Sequence, residues 1–137
     1  MRVLGLDLGN RSLGVAISDP EGFLARPIET FTFEDKAFDQ ALEYTVQLVK
    51  DQKVDKVVLG YPKNMDGSLG EQAKITLDFK EKLEQKITQE IILFDERLSS
   101  KMASNMMISQ KLSRKKRKNN IDNMAATVIL QGYLDRT

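Results

Sequence analysis

The first 33 residues constrain this chain most, because they hold three strand-length apolar runs with almost no chain between them. Val3–Leu8 is followed by a turn at Asn10-Arg11-Ser12, and Leu13–Ser18 (LGVAIS) runs back as a second strand. Asp19-Pro20-Glu21-Gly22 is a strong turn signal, and a third strand follows within Phe23–Phe33. Connections this short cannot cross a sheet, so the three strands form an antiparallel meander. Helical spacing then begins: Phe38, Leu42, Val46 and Val49 make an apolar stripe over Asp35–Gln52. Val57-Val58-Leu59-Gly60 is a short apolar strand. The polar loop Tyr61–Leu69 leads to a helix with Ile75, Phe79 and Leu83 on its inner face. Ile91–Phe94 is a fifth strand, apolar throughout, as expected of a strand covered on both faces. Two helices, about Ser99–Leu112 and Asp122–Leu134, close the chain. The order β-β-β-α-β-α-β-α-α predicts an α/β fold: a single domain over 1–137, with a five-stranded mixed sheet and helices on both faces.

Chemistry in such sheets gathers at the carboxyl ends of the parallel strands. Asp7 sits there on the first strand, between Gly5 and Gly9. Alternation puts Val3, Gly5, Asp7 and Gly9 on one face and Leu4, Leu6 and Leu8 on the other. The missing side chains predict a slot beside Asp7 where a ligand or metal approaches the backbone. Asp95-Glu96 follows the fifth strand directly, and the topology brings it to the same edge. Asp122 is expected to open the last helix, with Ala125, Ala126 and Ile129 on its face; the two alanines let that helix lie close to the sheet. Each acid also has a purely structural explanation: a strand-end turn for Asp7, an ion pair with Arg97 for Asp95-Glu96, a favourable helix terminus for Asp122.

Composition decides what converging carboxylates can do. The chain has no histidine and no cysteine. This excludes Ser-His-Asp and Cys-His nucleophiles, disulfides and the usual zinc sites. Clustered carboxylates repel unless a cation neutralises them, and Mg²⁺ or Mn²⁺ suits an all-oxygen site. Three such acids match the needs of a two-metal phosphodiesterase. The net charge is only +1, yet it is segregated. Acids outnumber bases between Glu29 and Asp55, whereas Lys101 to Asn120 holds no acid, and Lys111, Arg114, Lys115, Lys116, Arg117 and Lys118 crowd together. Lying inside the chain between two helical patterns, this run points to a phosphate-rich partner. No apolar run reaches membrane-span length and no signal peptide is visible; with the missing cysteines this suggests a reducing cytoplasm.

Four motifs together resemble the YqgF, or RuvX-like, family: Gly5-Leu6-Asp7-Leu8-Gly9 with Leu13–Asp19; Gly60-Tyr61-Pro62-Lys63-Asn64-Met65-Asp66-Gly67-Ser68; Asp95-Glu96-Arg97-Leu98-Ser99; and Lys115–Lys118 with Ile121-Asp122, Ala125-Ala126 and Ile129-Leu130-Gln131. The resemblance runs the full length, in order and with suitable spacing. It implies an RNase H-like fold, a bacterial cytoplasmic setting and a nuclease maturing the 5′ end of pre-16S rRNA. The family was earlier considered a Holliday junction resolvase. It implies Asp7, Glu96 and Asp122 as catalytic, metal-binding acids, choosing Glu96 over Asp95, which the strand geometry alone leaves open.

Supporting roles follow. Asn64, Gly67 and Ser68 lie in a polar loop expected to be flexible and able to bond phosphate or sugar. Arg97 beside Glu96 is a second phosphate contact, and Lys115, Lys116, Arg117 and Lys118 would grip the backbone of pre-16S rRNA or structured DNA. Gly60 permits close approach beside the site. Tyr61 is the one exposed ring expected near it, so no aromatic stacking platform is anticipated. The alternatives are a junction resolvase, which as a two-cut enzyme favours a homodimer over a monomer, and a non-catalytic nucleic-acid-binding module. An ATPase of the actin, Hsp70 and sugar-kinase group is disfavoured, because a single domain lacks its second phosphate loop.

Overall fold

The computed structural model describes residues 1–64, 66–96 and 114–136, with side chains in the last segment from Met124 onward. Five strands form one sheet: β1 (Val3–Leu8), β2 (Ser12–Ser18), β3 (Ala25–Thr32), β4 (Lys56–Tyr61) and β5 (Glu90–Asp95). Their spatial order is β3-β2-β1-β4-β5. The meander β1–β2–β3 is antiparallel, while β4 pairs parallel with β1 and β5 parallel with β4. Helices α1 (Phe38–Asp51) and α2 (Glu71–Glu84) make the crossovers into β4 and β5, and α3 (Arg114–Leu134) ends the described chain.

The alternation read in β1 sorts the core into two layers. Leu4, Leu6 and Leu8 join Leu13, Val15, Ile17, Val57 and Leu59 beneath Ala41, Leu42, Phe79 and Leu83 of α1 and α2. On the other face Val3, Ala16, Val58 and Phe94 pack against Ala126, Ile129, Leu130 and Leu134 of α3. Leu4, Leu6, Leu13 and Leu59 are fully buried; each such side chain contributes about 1.5–3 kcal/mol. Pro27, which lacks an N–H, is tolerated because β3 is an edge strand with a register shift between Val15 and Ala16 of its partner.

The last helix departs from expectation. Its described part runs from Arg114, eight residues before Asp122, so residues 114–118 of the basic run are helical rather than a linker. Lysine and arginine are good helix formers, and no Gly or Pro interrupts the chain between Arg114 and Gln131. Asp122 therefore does not open the helix, and the stabilisation of acids at a helix start cannot account for it. The expected helix Ser99–Leu112, with Met102, Met106 and Met107, lies outside the described residues.

Gln131 ties α3 to the β2–β3 hairpin. Its Oε1 accepts from the Ala25 N–H at 2.8 Å, and its Nε2 donates to the Phe23 carbonyl at 3.0 Å. Ser18 performs a similar task between strands: its buried Oγ accepts from the Val3 N–H at 2.8 Å and donates to the Asp19 carbonyl. Among the described residues no helix is long and apolar enough to cross a membrane.

Candidate active site

Parallel pairing aligns the carboxyl ends of β1, β4 and β5. Leu6 is level with Leu59, Leu59 with Leu93, and Gly60 with Phe94. Asp7 therefore stands beside Gly60, and Glu96 emerges two residues beyond Phe94, on the far side of β4. Strands lie about 4.8 Å apart, so side chains from β1 and β5 must bridge roughly 10 Å across β4 to meet. Gly60 makes that possible. A Cβ there would sit 2.8 Å from Glu96 Oε1 and 2.8 Å from Ile129 Cδ1 of α3. The Glu96 carboxyl thus lies over the bare backbone of Gly60 and reaches Asp7, to which it is hydrogen-bonded.

The glycines beside Asp7 serve a different end from the slot expected of them. A Cβ on Gly5 would be 2.7 Å from Leu130 Cβ and 3.2 Å from the Ala126 carbonyl, so α3 itself occupies that space. Gly9 belongs to the hairpin turn, its N–H donating to the Ser12 carbonyl at 2.8 Å. The absent side chains admit a helix rather than a ligand. The consequence for the site is indirect, since α3 is held against β1 at Ala126, one helical turn after Asp122.

Electrostatics follow from this enclosure. The Glu96 carboxyl is pushed up to about 9 by burial first, then by its hydrogen bond to Asp7 and by the charges of Asp7 and Asp95. Enclosed so close together, the two carboxyls resist both being charged at once. The structure thereby separates the two adjacent acids that the strand pattern left open: Glu96 bonds Asp7, while Asp95 ends β5 opposite Tyr61 and acts on Glu96 through its charge. Two oxygen-only carboxyl groups in a partly desolvated corner form a donor set suited to a hard divalent cation, which would relieve the same repulsion. Among the described residues no three acids cluster as a metal site. The Asp122 side chain is not among them, nor are those of Arg97, Lys115, Lys116, Arg117 and Lys118.

Asn64 lies in a loop that is knit together rather than loose. Its Nδ2 donates to Ser68 Oγ at 3.0 Å, Ser68 Oγ donates to Asp66 Oδ1 at 2.6 Å, and Lys63 bridges Leu69. Gly67 supplies a left-handed turn, with φ of 88°. Tyr61 is half-buried, with Lys63 Nζ 5.4 Å from its ring centroid. The sequence reading passed over Gln72, whose Nε2 donates to the Leu8 carbonyl at 3.0 Å and pins the end of β1 to the first turn of α2. An amide three residues past Leu69 carries no motif that would have marked it. A second omission is aromatic: Phe31 stacks on Tyr44 at 4.3 Å, and Phe33 lies 6.1 Å from both Phe31 and Phe38.

A meander followed by two crossover units, with acids at the carboxyl edge, defines the RNase H-like class. Solved structures of that class superpose over nearly the whole chain. They include Thermus thermophilus RuvC in complex with a Holliday junction substrate (TM-score 0.60, 14% identity, 99% of this chain and 95% of that one). Fowlpox virus resolvase with substrate junction DNA gives a TM-score of 0.62 at 13% identity, covering 99% of this chain and 98% of that one. At such identities the likeness concerns the fold. The chain belongs to the RuvX family, described as a Holliday junction resolvase family, whose model matches residues 1–136. It is 49% identical over 135 residues to a Bacillus licheniformis protein named "Putative pre-16S rRNA nuclease", covering 98% of this chain and 97% of the relative. A Bacillus subtilis protein of the same name is 47% identical, covering 98% of each.

Proposed function

We propose that this protein is a divalent-metal-dependent nuclease that hydrolyses phosphodiester bonds, acting in 5′ end maturation of pre-16S rRNA. The observation that carries the reading is the Asp7–Glu96 pair meeting over Gly60 at the carboxyl edge of the sheet. Asp7 and Glu96 would hold Mg²⁺ or Mn²⁺, with Asp122 as the third acid from α3, whose backbone is drawn onto β1 one turn further along. When bound, the metal supplies a lowered water pKa and charge stabilisation at the leaving oxygen. Asp7 and Glu96 would hold the cation as carboxylates and fix the position of the charge. Ile129 packs over Gly60 beside Glu96, and α2, through Gln72, ties down the end of β1.

Lys115, Lys116, Arg117 and Lys118 lie on the helical backbone of α3. Their part is affinity for the phosphate backbone, without reading of sequence. Arg97 and Asn64 complete the substrate contacts. Acting on a ribosomal precursor, the protein would work in the cytoplasm, as a monomer or homodimer.

The relatives named for pre-16S rRNA favour that substrate, and the family description favours a second reading, resolution of four-way DNA junctions. One assay separates them. Purified protein is incubated with Mg²⁺ or Mn²⁺ on a pre-16S rRNA 5′ fragment and on a four-way junction, alongside Asp7→Asn. We expect metal-dependent cleavage of the RNA that Asp7→Asn abolishes. Cleavage surviving Asp7→Asn or excess chelator refutes the metal mechanism, and cleavage of the junction alone transfers the assignment to DNA.

A further inference from the structure

The sheet edge that carries Asp7 also carries a groove of about 630 Å³, lined by Arg11, Thr32, Phe33, Glu34, Asp35 and Gln40. It is an open, shallow depression rather than an enclosed pocket. The groove is built by the β1–β2 turn and the segment joining β3 to α1. The Phe33 N–H donates to the Arg11 carbonyl at 2.9 Å, the Lys36 N–H donates to the Asn10 carbonyl at 2.8 Å, and Lys36 takes a left-handed φ of 60° to close the corner. The Glu34 N–H donates to Gln40 Oε1 at 3.4 Å, joining this wall to α1. The frame is thus fixed by backbone bonds, whereas the one cation it presents is not. Arg11 is 77% exposed and meets Asp35 in a single ion pair at 3.4 Å. An exposed pair of that kind is weak and exchangeable.

Position relates the groove to the carboxyl pair. Arg11 is four residues from Asp7, so the two lie within about 14 Å of each other. Phe31 pairs with Leu13 on the α1–α2 face, and Phe33 shares that face, whereas Asp7 faces α3. Arg11 belongs to the β1–β2 turn, and Phe33 lines the groove as a partly buried ring that also packs against the core.

The geometry points to a second nucleic-acid contact here: a single strand flanking the scissile phosphate crosses the β1–β2 turn, exchanging Asp35 for one of its phosphates at Arg11 and laying a base against Phe33. This rests on the nuclease reading, and it adds to it the path of the flanking strand. A cation beside an aromatic ring is the recurring means of holding single strands without sequence preference. Asp35 acts as a placeholder that keeps the guanidinium at the turn until phosphate replaces it.

The test is equilibrium binding in chelator, so that no cleavage or metal loading enters. The intact protein is titrated with a fluorescein-labelled single-stranded 20-mer RNA, an abasic strand of equal length, and a duplex. Each phosphate contact on a single strand adds roughly 0.7 to the salt slope. Arg11→Gln is therefore expected to weaken binding of the single strand about eightfold near 50 mM salt and about threefold near 200 mM, with the slope smaller by about 0.7. Asp35→Asn tightens binding about twofold at low salt. Phe33→Leu lowers affinity about fivefold or more for the base-bearing strand and leaves the abasic strand unchanged. Arg26→Gln, exposed at the opposite end of β3, is the control and leaves the slope as it was.

An unchanged slope in Arg11→Gln, with the parent still binding, overturns this inference and leaves the nuclease reading intact. Equal loss on abasic and base-bearing strands with Phe33→Leu overturns the base contact. A larger effect of Arg11→Gln on the duplex overturns the single-strand assignment. A parent protein that binds none of the three removes the nuclease reading and this inference together.

Discussion

Replacing Glu96 by Gln should make the metal-free protein more stable while destroying its activity, and the size of the effect can be worked from the site. A carboxyl held at about 9 when folded, against 4.5 when free, keeps its proton on folding and loses it on unfolding throughout that interval. The unfolded chain then binds fewer protons, so stability is largest below about pH 4.5 and falls by up to roughly 1.4 kcal/mol per pH unit as pH rises towards about 9. At about pH 7.5 the full penalty would be about 4 kcal/mol. Glu96 is only partly enclosed, and solvent relaxation reduces this to about 2 kcal/mol. Glutamine matches the protonated acid in shape, donates to Asp7 through its amide, and has no proton to lose. The variant should therefore melt about 6–10 °C above the parent near pH 7.5 and level with it near pH 4.5. Circular dichroism melts in chelator between about pH 4.5 and 8.5 measure this directly. Millimolar Mg²⁺ should raise the parent's midpoint at high pH and leave the variant's in place, because a cation binds only the charged pair. A parent midpoint that does not move across this pH range would refute the reasoning, as would a glutamine variant less stable than the parent at the alkaline end.

Three further outcomes test the architecture around the pair. Gly60→Ala places a methyl 2.8 Å from both Glu96 Oε1 and Ile129 Cδ1; it should cost about 1–3 kcal/mol in urea unfolding and reduce cleavage more than stability explains, because Glu96 can no longer reach Asp7. Gln131→Ala strands the part-buried Ala25 N–H, while the exposed Phe23 carbonyl turns to water; it should lower stability by about 1 kcal/mol in the same measurement while leaving the pH dependence of Glu96 intact. Converting Lys115, Lys116, Arg117 and Lys118 to Gln should weaken RNA binding in proportion to the charges removed, with a slope against log salt lower by about 0.7 for each residue that contacts phosphate. A slope identical to the parent's in filter binding would exclude the run from the interface.

Much of this was legible along the chain because it depends on near neighbours. Strand alternation in Val3–Leu8 sorted residues onto the correct faces, and the short turns around Asn10 and Pro20 forced the meander. The start of the last helix was misplaced for a local reason. Asp122, just past Asn119-Asn120-Ile121, imitates a capping signal, yet the basic residues at 114–118 have the propensity to extend the helix and are helical.

Strand and helix order, the exclusion of histidine and cysteine chemistry, and the placement of Asp7 and Asp95-Glu96 at the carboxyl edge are all readable along the chain. Tertiary structure decided how those acids meet. Whether Glu96 or Asp95 reaches Asp7 depends on an empty position in the strand lying between them, and Gly60 is contributed from 53 residues downstream of Asp7. That Gly5 admits α3, and that Gln72 and Gln131 secure the ends of the frame, likewise depends on distant partners. Local pattern carries no record of such contacts, because each one exists only after the chain has brought the two residues together.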